Sequence, residues 1–150
     1  MVTPHPGGNG MSQQKILTAI DGSNYSSKIV DKAIELTKLV EGRIILVHCH
    51  RKFSVFESHA YREEEMARII NEAEKLVYPF LQRIKDVEIP AETRIMEEPA
   101  GEVISDIARI EKCDLIVLGS RGLTNLASLI VGSVTNRVLQ TAPCSVLVVR

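Results

Sequence analysis

The residues of this chain whose types and spacing most clearly suggest a chemical function lie between positions 119 and 135. The segment opens with Gly119-Ser-Arg-Gly122 and, after nine intervening residues, continues with Gly132-Ser133-Val-Thr135. Glycines let a backbone turn tightly and bring its N–H groups close to an anion that a Cβ atom would hold away. A helix beginning at Gly132 and Ser133 adds unpaired N–H groups and a partial positive charge. The spacing therefore predicts a cradle for a phosphate group.

Side chains of the same segment supply further phosphate ligands. The hydroxyls of Ser133 and Thr135 can donate hydrogen bonds, and Arg121 adds a charge that persists at any physiological pH. The chain has no GxxxxGK[ST] motif and no GxGxxG after a strand, which excludes the P-loop and dinucleotide-binding classes. Taken singly, each glycine could be an ordinary turn or helix cap, and Asp21 could simply cap the helix that follows it.

The elements that must position these residues alternate between short β-branched runs and longer amphipathic patterns, as in parallel βαβ units. The predicted strands are 15–20, 43–49, 87–95, 114–118 and 145–149; the predicted helices are 24–41, 59–84, 99–112 and one from about 132 to just before Pro143. We expect Pro79 to kink the second helix or start a new segment, and Pro90 to place the third strand near an edge.

This order of elements predicts one α/β domain, a doubly wound five-stranded parallel sheet with helices on both faces. In such a sheet, ligands bind beyond the carboxyl ends of the strands, where the winding direction reverses. The loops that follow the strands, among them those that contain Asp21 and Gly119, are therefore where a site is expected.

Composition and net charge restrict the kinds of partner and site that the chain could have. The formal net charge of -1 leaves no broad cationic surface for nucleic acid or an anionic membrane. No apolar run approaches the roughly 20 residues of a spanning helix. Cys49, Cys113 and Cys144 are odd in number and lack CxxC spacing, so neither a disulfide framework nor a zinc knuckle is predicted. These features favour a cytoplasmic protein.

The first residues differ in composition from the rest of the chain. Residues 1–11 are rich in proline and glycine, which predicts a disordered arm or an expression remnant ahead of a folded domain at 12–150.

Three features, in order along the chain, resemble the ATP-binding branch of the universal stress protein family. They are the first strand ending in Asp21-Gly-Ser, the second ending in Val47-His48, and the final SRGLTN and GSVTNRVL stretches. The resemblance extends from Lys15 to Arg150 and implies the strand order 3-2-1-4-5. It also implies an adenine nucleotide as ligand, either ATP or AMP/ADP, with Mg²⁺ able to join through the phosphates.

The resemblance further implies which residues would contact the nucleotide. The adenosine pocket would be lined by Ala19, Ile20, Asp21 and, through its backbone at the adenine edge, Cys49. The ribose and phosphates would be held by Leu118, Gly119, Arg121, Gly122, Gly132, Ser133, Val134 and Thr135. Two residues depart from the family pattern, since Cys49 stands where valine is common and Arg121 where histidine often occurs.

Three functions remain open. The favoured one is a nucleotide-binding regulatory domain that acts as a switch in a stress response; the others are a slow ATP hydrolase and a nucleotide-free homodimeric interaction module. No GxSxG elbow or catalytic base is found, and His48 and His50 lack a third metal ligand, so we predict neither catalytic residues nor a metal site. We expect His48 to be a hydrogen-bonded core residue, and edge strand 145–149 to pair two copies.

Overall fold

Five strands and four helices alternate along the residues described by the structure, a computed structural model covering 12–53, 58–120 and 131–150. The strands are β1 (Lys15–Ala19), β2 (Arg43–His50), β3 (Ala91–Glu97), β4 (Leu115–Gly119) and β5 (Ser145–Val149). The helices are α1 (Ser26–Leu39), α2 (His59–Asp86), α3 (Ala100–Ile110) and α4 (Ser133–Thr141). The predicted arm at 1–11, together with Arg121 and Gly122, lies outside the described residues.

The strands form one parallel sheet in the order β3-β2-β1-β4-β5. The chain winds outward from β1 to β3 and then in the opposite direction through β4 and β5, so the switch point lies between β1 and β4. This confirms the predicted α/β fold and strand order. It also places β3, with its mixed polar sequence, at one edge of the sheet.

Each face of the sheet is covered by two helices. Ile44 and Leu46 of β2 pack with α1 and α2, whereas Ile45 and Val47 pack with α3 and α4. All four side chains are at most 1% exposed, which explains why β2 is continuously apolar rather than alternating. No helix in the described part of the chain is long and apolar enough to cross a membrane.

The structure differs from the sequence prediction at two points, the course of α2 through Pro79 and the start of β3. The helix continues through the exposed Pro79 to Asp86, so Pro79 does not start a new segment. Burial of Ala73, Val77 and Ile84 on both sides of the proline stabilises the helix across it. The third strand begins at Ala91 and not at Val87, because Val87 still caps α2 and the next residue has φ of 60°.

Candidate functional site

A cavity of about 560 Å³ opens at the carboxyl ends of β1, β2 and β4, within the roughly 300–1,000 Å³ range of small-molecule sites. It is bordered by α1 and α2 on one side of the sheet and by α3 and α4 on the other. Ten of the residues predicted to contact a ligand line it: Ala19, Ile20, Asp21, Cys49, Leu118, Gly119, Gly132, Ser133, Val134 and Thr135. The structure thus brings four separate chain segments to one space.

Asp21 lies at the turn between β1 and α1. Its Oδ1 accepts a hydrogen bond from Ser23 N at 2.9 Å and one from Ser26 Oγ at 3.5 Å. Gly22 has φ of +82°, a backbone conformation that residues with a side chain rarely adopt, so glycine is favoured there. Asp21 therefore holds the local turn with one carboxylate oxygen, and the other makes no hydrogen bond to a described residue.

Two hydrogen bonds join the end of β4 to the start of α4. Gly132 N donates to Ser120 O at 3.0 Å, and Thr135 Oγ1 donates to Gly119 O at 2.6 Å. The two glycine-marked corners of the sequence therefore lie side by side at the cavity. The Thr135 hydroxyl was expected to donate to a phosphate, but its proton is already engaged with Gly119, so Thr135 positions the helix.

The first turn of α4 presents to the cavity N–H groups that have no partner among the described residues. The first bond within the helix runs from Asn136 N to Gly132 O at 2.9 Å, so the N–H groups of Ser133, Val134 and Thr135 have no partner within the helix. Ser133 and Val134 are exposed to the cavity opening. These N–H groups and the positive end of the helix dipole suit an anion.

Gly132 is not required by the backbone at this point. Its φ of -59° and ψ of 157° suit any residue, and an added Cβ would meet only Ser120 O at 3.5 Å, an ordinary contact. Neither conformation nor packing within the described residues therefore explains the glycine. The open space beside it is what a ligand approaching the backbone would need.

The backbone of Cys49 faces the gap beyond the end of β1. Odd-numbered β2 residues bond towards β1, as in Arg43 N to Gln14 O at 2.8 Å, and even-numbered residues towards β3, as in Ile44 N to Pro90 O at 2.9 Å. Cys49 continues the odd series, although β1 has already ended at Ala19. Its N–H and C=O therefore point into the cavity region.

The Cys49 side chain is a neutral, apolar part of the wall. Burial, and secondarily the charge of Glu98, raise the pKa of the thiol to about 11. The thiolate is the reactive form of cysteine, so this side chain has no nucleophilic character near neutral pH. The cysteine packs against the α3 and α4 side of the sheet.

The cavity has a wall that the sequence did not reveal. Ile69, Ala73 and Leu76 of α2 line it, as do Ala100 and Ile104 of α3. Their spacing along each helix is that of an ordinary buried stripe, so periodicity gives no separate signal for a cavity wall.

His48 lines the cavity too, and its ring Nδ1 bonds to Ile20 O at 3.0 Å with 8% of the residue exposed. This confirms the expected hydrogen-bonded core histidine. Within the described ranges, no group of three or more histidine, cysteine or acidic residues could hold a metal ion.

The fold is shared with solved universal stress protein structures. UspA from Lactobacillus plantarum matches with a TM-score of 0.79 and 23% identity, covering 91% of this chain and 97% of that one. A universal stress protein in complex with cAMP matches with a TM-score of 0.70 and 23% identity, covering 91% and 97%. An Arabidopsis thaliana family protein with AMP bound has a TM-score of 0.64 and 20% identity, covering 91% and 90%.

Sequence comparison identifies the same group of proteins. The universal stress protein YxiE of Bacillus subtilis is 34% identical over 146 residues, which cover 91% of this chain and 98% of that protein. The sequence model of the universal stress protein family matches residues 13–150. Because this match takes in every strand and helix described above, the chain belongs to the universal stress protein family.

Proposed function

We propose that this chain binds an adenine nucleotide in the cavity and acts as a nucleotide-dependent regulatory domain in a stress response. The observation that carries the proposal is the N–H groups at the start of α4, which have no partner among the described residues, beside a glycine that those residues do not require. The relatives solved with cAMP and AMP support an adenine nucleotide as the ligand class.

Each part of a nucleotide has a counterpart in the cavity. The phosphates are assigned to the N–H groups of Ser133, Val134 and Thr135, with the Ser133 hydroxyl as a further donor. The base is assigned to the backbone N–H and C=O of Cys49, which offer one donor and one acceptor at its edge. The free carboxylate oxygen of Asp21 suits a hydroxyl of the nucleoside.

The remaining assignments rest on sequence similarity and on the position of the cavity. Ala19, Ile20, Leu118 and Gly119 supply the apolar and backbone surface around the nucleoside. Arg121 and Gly122 are assigned to the phosphates by the family pattern alone. Among the nucleotides, ATP is the proposed ligand, and Mg²⁺ would accompany it through its phosphate oxygens, which are hard ligands suited to that ion.

Regulation is favoured over hydrolysis by the chemistry of the cavity wall. The Cys49 thiol is neutral, and the Nδ1 of both His48 and His50 contacts a backbone carbonyl. Asp21, Glu72 and Glu98 are the described carboxylates that line the cavity, and Asp21 is partly engaged in its own turn. If the chain were a slow ATP hydrolase, Asp21→Ala would abolish turnover while leaving nucleotide bound, which a coupled phosphate-release assay would reveal.

We also propose a homodimer formed by antiparallel pairing of two β5 strands. β5 lies at the sheet edge and pairs on one side with β4, so its other side offers unpaired backbone groups.

We further propose a location in the reducing cytoplasm. The three cysteines, Cys49, Cys113 and Cys144, are free thiols, which supports this proposal.

Isothermal titration of the purified chain with ATP, ADP, AMP and, as control, GTP tests the proposal. We expect an adenine nucleotide to bind with a stoichiometry of one per chain and GTP to bind more weakly, because guanine reverses the donor and acceptor at the edge that Cys49 would contact. Absence of binding by every adenine nucleotide at about 1 mM, a weak-affinity limit near 4 kcal/mol, would refute it.

A further inference from the structure

The hydrogen-bond ladder between β1 and β2 has a regular series that ends early. Arg43 N donates to Gln14 O at 2.8 Å, and the register pairs Lys15 with Arg43 through to Ala19 with Val47. Bonds in a parallel pair are evenly spaced, so the same bond recurs every two residues. If the series continued for six residues along each strand from the Arg43–Gln14 bond, Cys49 N would donate to Ile20 O.

That bond is not formed in the described residues. The opposite bond of the last pair, from Ile20 N to Val47 O at 2.9 Å, is present. The Ile20 carbonyl instead bonds with His48 Nδ1 at 3.0 Å. Because a carbonyl only accepts, Nδ1 carries the proton and donates it.

The Ile20 carbonyl is buried and needs a donor, which the His48 ring supplies in place of the Cys49 N–H. Ile20 is 5% exposed and His48 is 8% exposed, so the carbonyl would be costly to leave without a donor. The imidazole satisfies it from the α1 and α2 side of the sheet, where His48 continues the series of Ile44 and Leu46. The Cys49 N–H is thereby released from the ladder beside the cavity.

We propose that His48 is a positioning residue: it ends the β1–β2 ladder one bond early and so keeps the Cys49 N–H available to a ring nitrogen of a bound base. This inference rests on the proposed nucleotide-binding function and assigns a role to a residue outside the predicted contact set. His48 acts through Cys49 and makes no ligand contact in this account.

Three variants separate this role from general stabilisation. His48→Asn places an amide nitrogen close to the position of Nδ1, so it keeps the donor to Ile20 O. His48→Leu removes the donor, and His48→Gln places its amide near the position of Nε2, out of reach of that carbonyl. His48→Gln also serves as the second donor-deleting variant if His48→Leu fails to fold.

The decisive readout is hydrogen exchange at the Cys49 amide, followed by NMR in the absence of nucleotide. Without the imidazole donor, we expect the Cys49 N–H to pair with Ile20 O and to exchange about tenfold more slowly than in the wild type. His48→Asn should exchange like the wild type. A merely structural role predicts the reverse, because loosening of the strands speeds exchange; faster or unchanged exchange in both donor-deleting variants overturns the proposal.

Nucleotide affinity supplies the second readout. We expect about a tenfold weaker affinity for AMP in His48→Leu and His48→Gln, the loss of one hydrogen bond, and recovery to near wild type in His48→Asn. If the wild type binds no adenine nucleotide, the proposed function fails while the exchange measurement still tests His48. If the wild type binds and the donor-deleting variants bind equally well, the inference about His48 fails alone.

Discussion

The hydroxyl of Thr135 donates a hydrogen bond of 2.6 Å to the backbone carbonyl of Gly119. This bond joins the second residue after the start of α4 to the last residue of β4, across sixteen positions of the chain. Thr135 is 4% exposed, so the bond is shielded from competing water. It aligns the N–H groups at the start of α4 with the carboxyl end of the sheet, where the cavity opens.

Thr135→Val should test this alignment, because valine keeps the shape and removes the hydroxyl. We expect a loss of about 1–2 kcal/mol in the free energy of unfolding, since the Gly119 carbonyl loses its donor, and a weaker nucleotide affinity. Urea unfolding and calorimetric titration measure the two effects. Thr135→Ser retains the hydroxyl and should recover most of both; equal behaviour of the serine and valine variants would contradict the alignment role.

Gly132→Val addresses the space beside the helix start. A branched side chain would occupy the position proposed for a phosphate, so we expect nucleotide affinity to fall by at least about 2 kcal/mol, roughly thirtyfold. The melting temperature should change little, because an added Cβ meets only Ser120 O at 3.5 Å. Titration calorimetry and thermal unfolding give the two values.

Gly42→Ala is the matched control for that variant. Gly42 lies at the opposite end of the sheet, and an added Cβ would be 2.6 Å from Gln14 O, a backbone atom that cannot move freely. The control should therefore lower stability while the folded protein retains its nucleotide affinity. Wild-type affinity in Gly132→Val would remove the basis for a phosphate at this corner.

The raised pKa of the Cys49 thiol predicts that the free energy of unfolding decreases as the pH becomes alkaline. Burial raises the pKa of this thiol to about 11 from a reference value of 9.0, so the unfolded chain ionises it first. The contribution of the neutral thiol to stability is present below pH 9 and is lost as pH rises towards 11. Cys113, whose pKa burial also raises to about 11, acts in the same direction.

The measurement is urea unfolding of the wild type and Cys49→Val between pH 8 and about pH 11. Cys49→Val should lose less stability over this window, since one of the thiols whose pKa burial raises is gone. It should also keep its nucleotide affinity, because the proposed contact uses the backbone. A pH dependence identical to that of the wild type would show that the Cys49 thiol does not contribute.

The β5 edge allows a test of dimerisation by single prolines. Ser120 N donates to Val149 O at 2.8 Å, so the odd-numbered residues of β5 face β4, and Val146 and Val148 direct their N–H groups to the open edge. Val148→Pro removes one outward N–H and leaves the β4 ladder intact. We expect it to convert a dimer to a monomer in sedimentation analysis.

Leu147→Pro is the control, because it removes an N–H that faces β4. It should lower the free energy of unfolding substantially, whereas Val148→Pro should leave the monomer folded. A Val148→Pro variant that sediments as the same dimer would place the interface elsewhere.

The sequence predicted the fold well because its central strands, β1, β2 and β4, are largely buried. Residues 44–47 are continuously apolar and stand between turn signals, a pattern that identifies an interior parallel strand. The strand order itself came from the family resemblance, since periodicity does not specify which strands are neighbours. The start of β3 was misplaced because Val87 and Ile89 alternate like strand residues, although the end of α2 and its connecting turn contain them.

The site was predicted in part for similar reasons. Glycine spacing identified the two corners that the structure places together, and contact of these residues with a nucleotide stays a prediction. The α2 wall was missed because Ile69 and Ala73 have the spacing of any buried helix face. The use of the Thr135 hydroxyl could not be foreseen either, since its acceptor lies sixteen residues away and is a backbone atom.

The most direct test of the account is an NMR titration of the isotope-labelled chain with ATP, observed at each backbone amide. If the glycine-marked corners bind the phosphates, the largest saturable shifts should occur at Ser133, Val134 and Thr135, with a second group at Cys49. Inorganic phosphate alone should shift the α4 group and leave Cys49 unchanged. Saturable binding that leaves the α4 amides unperturbed would contradict the central claim.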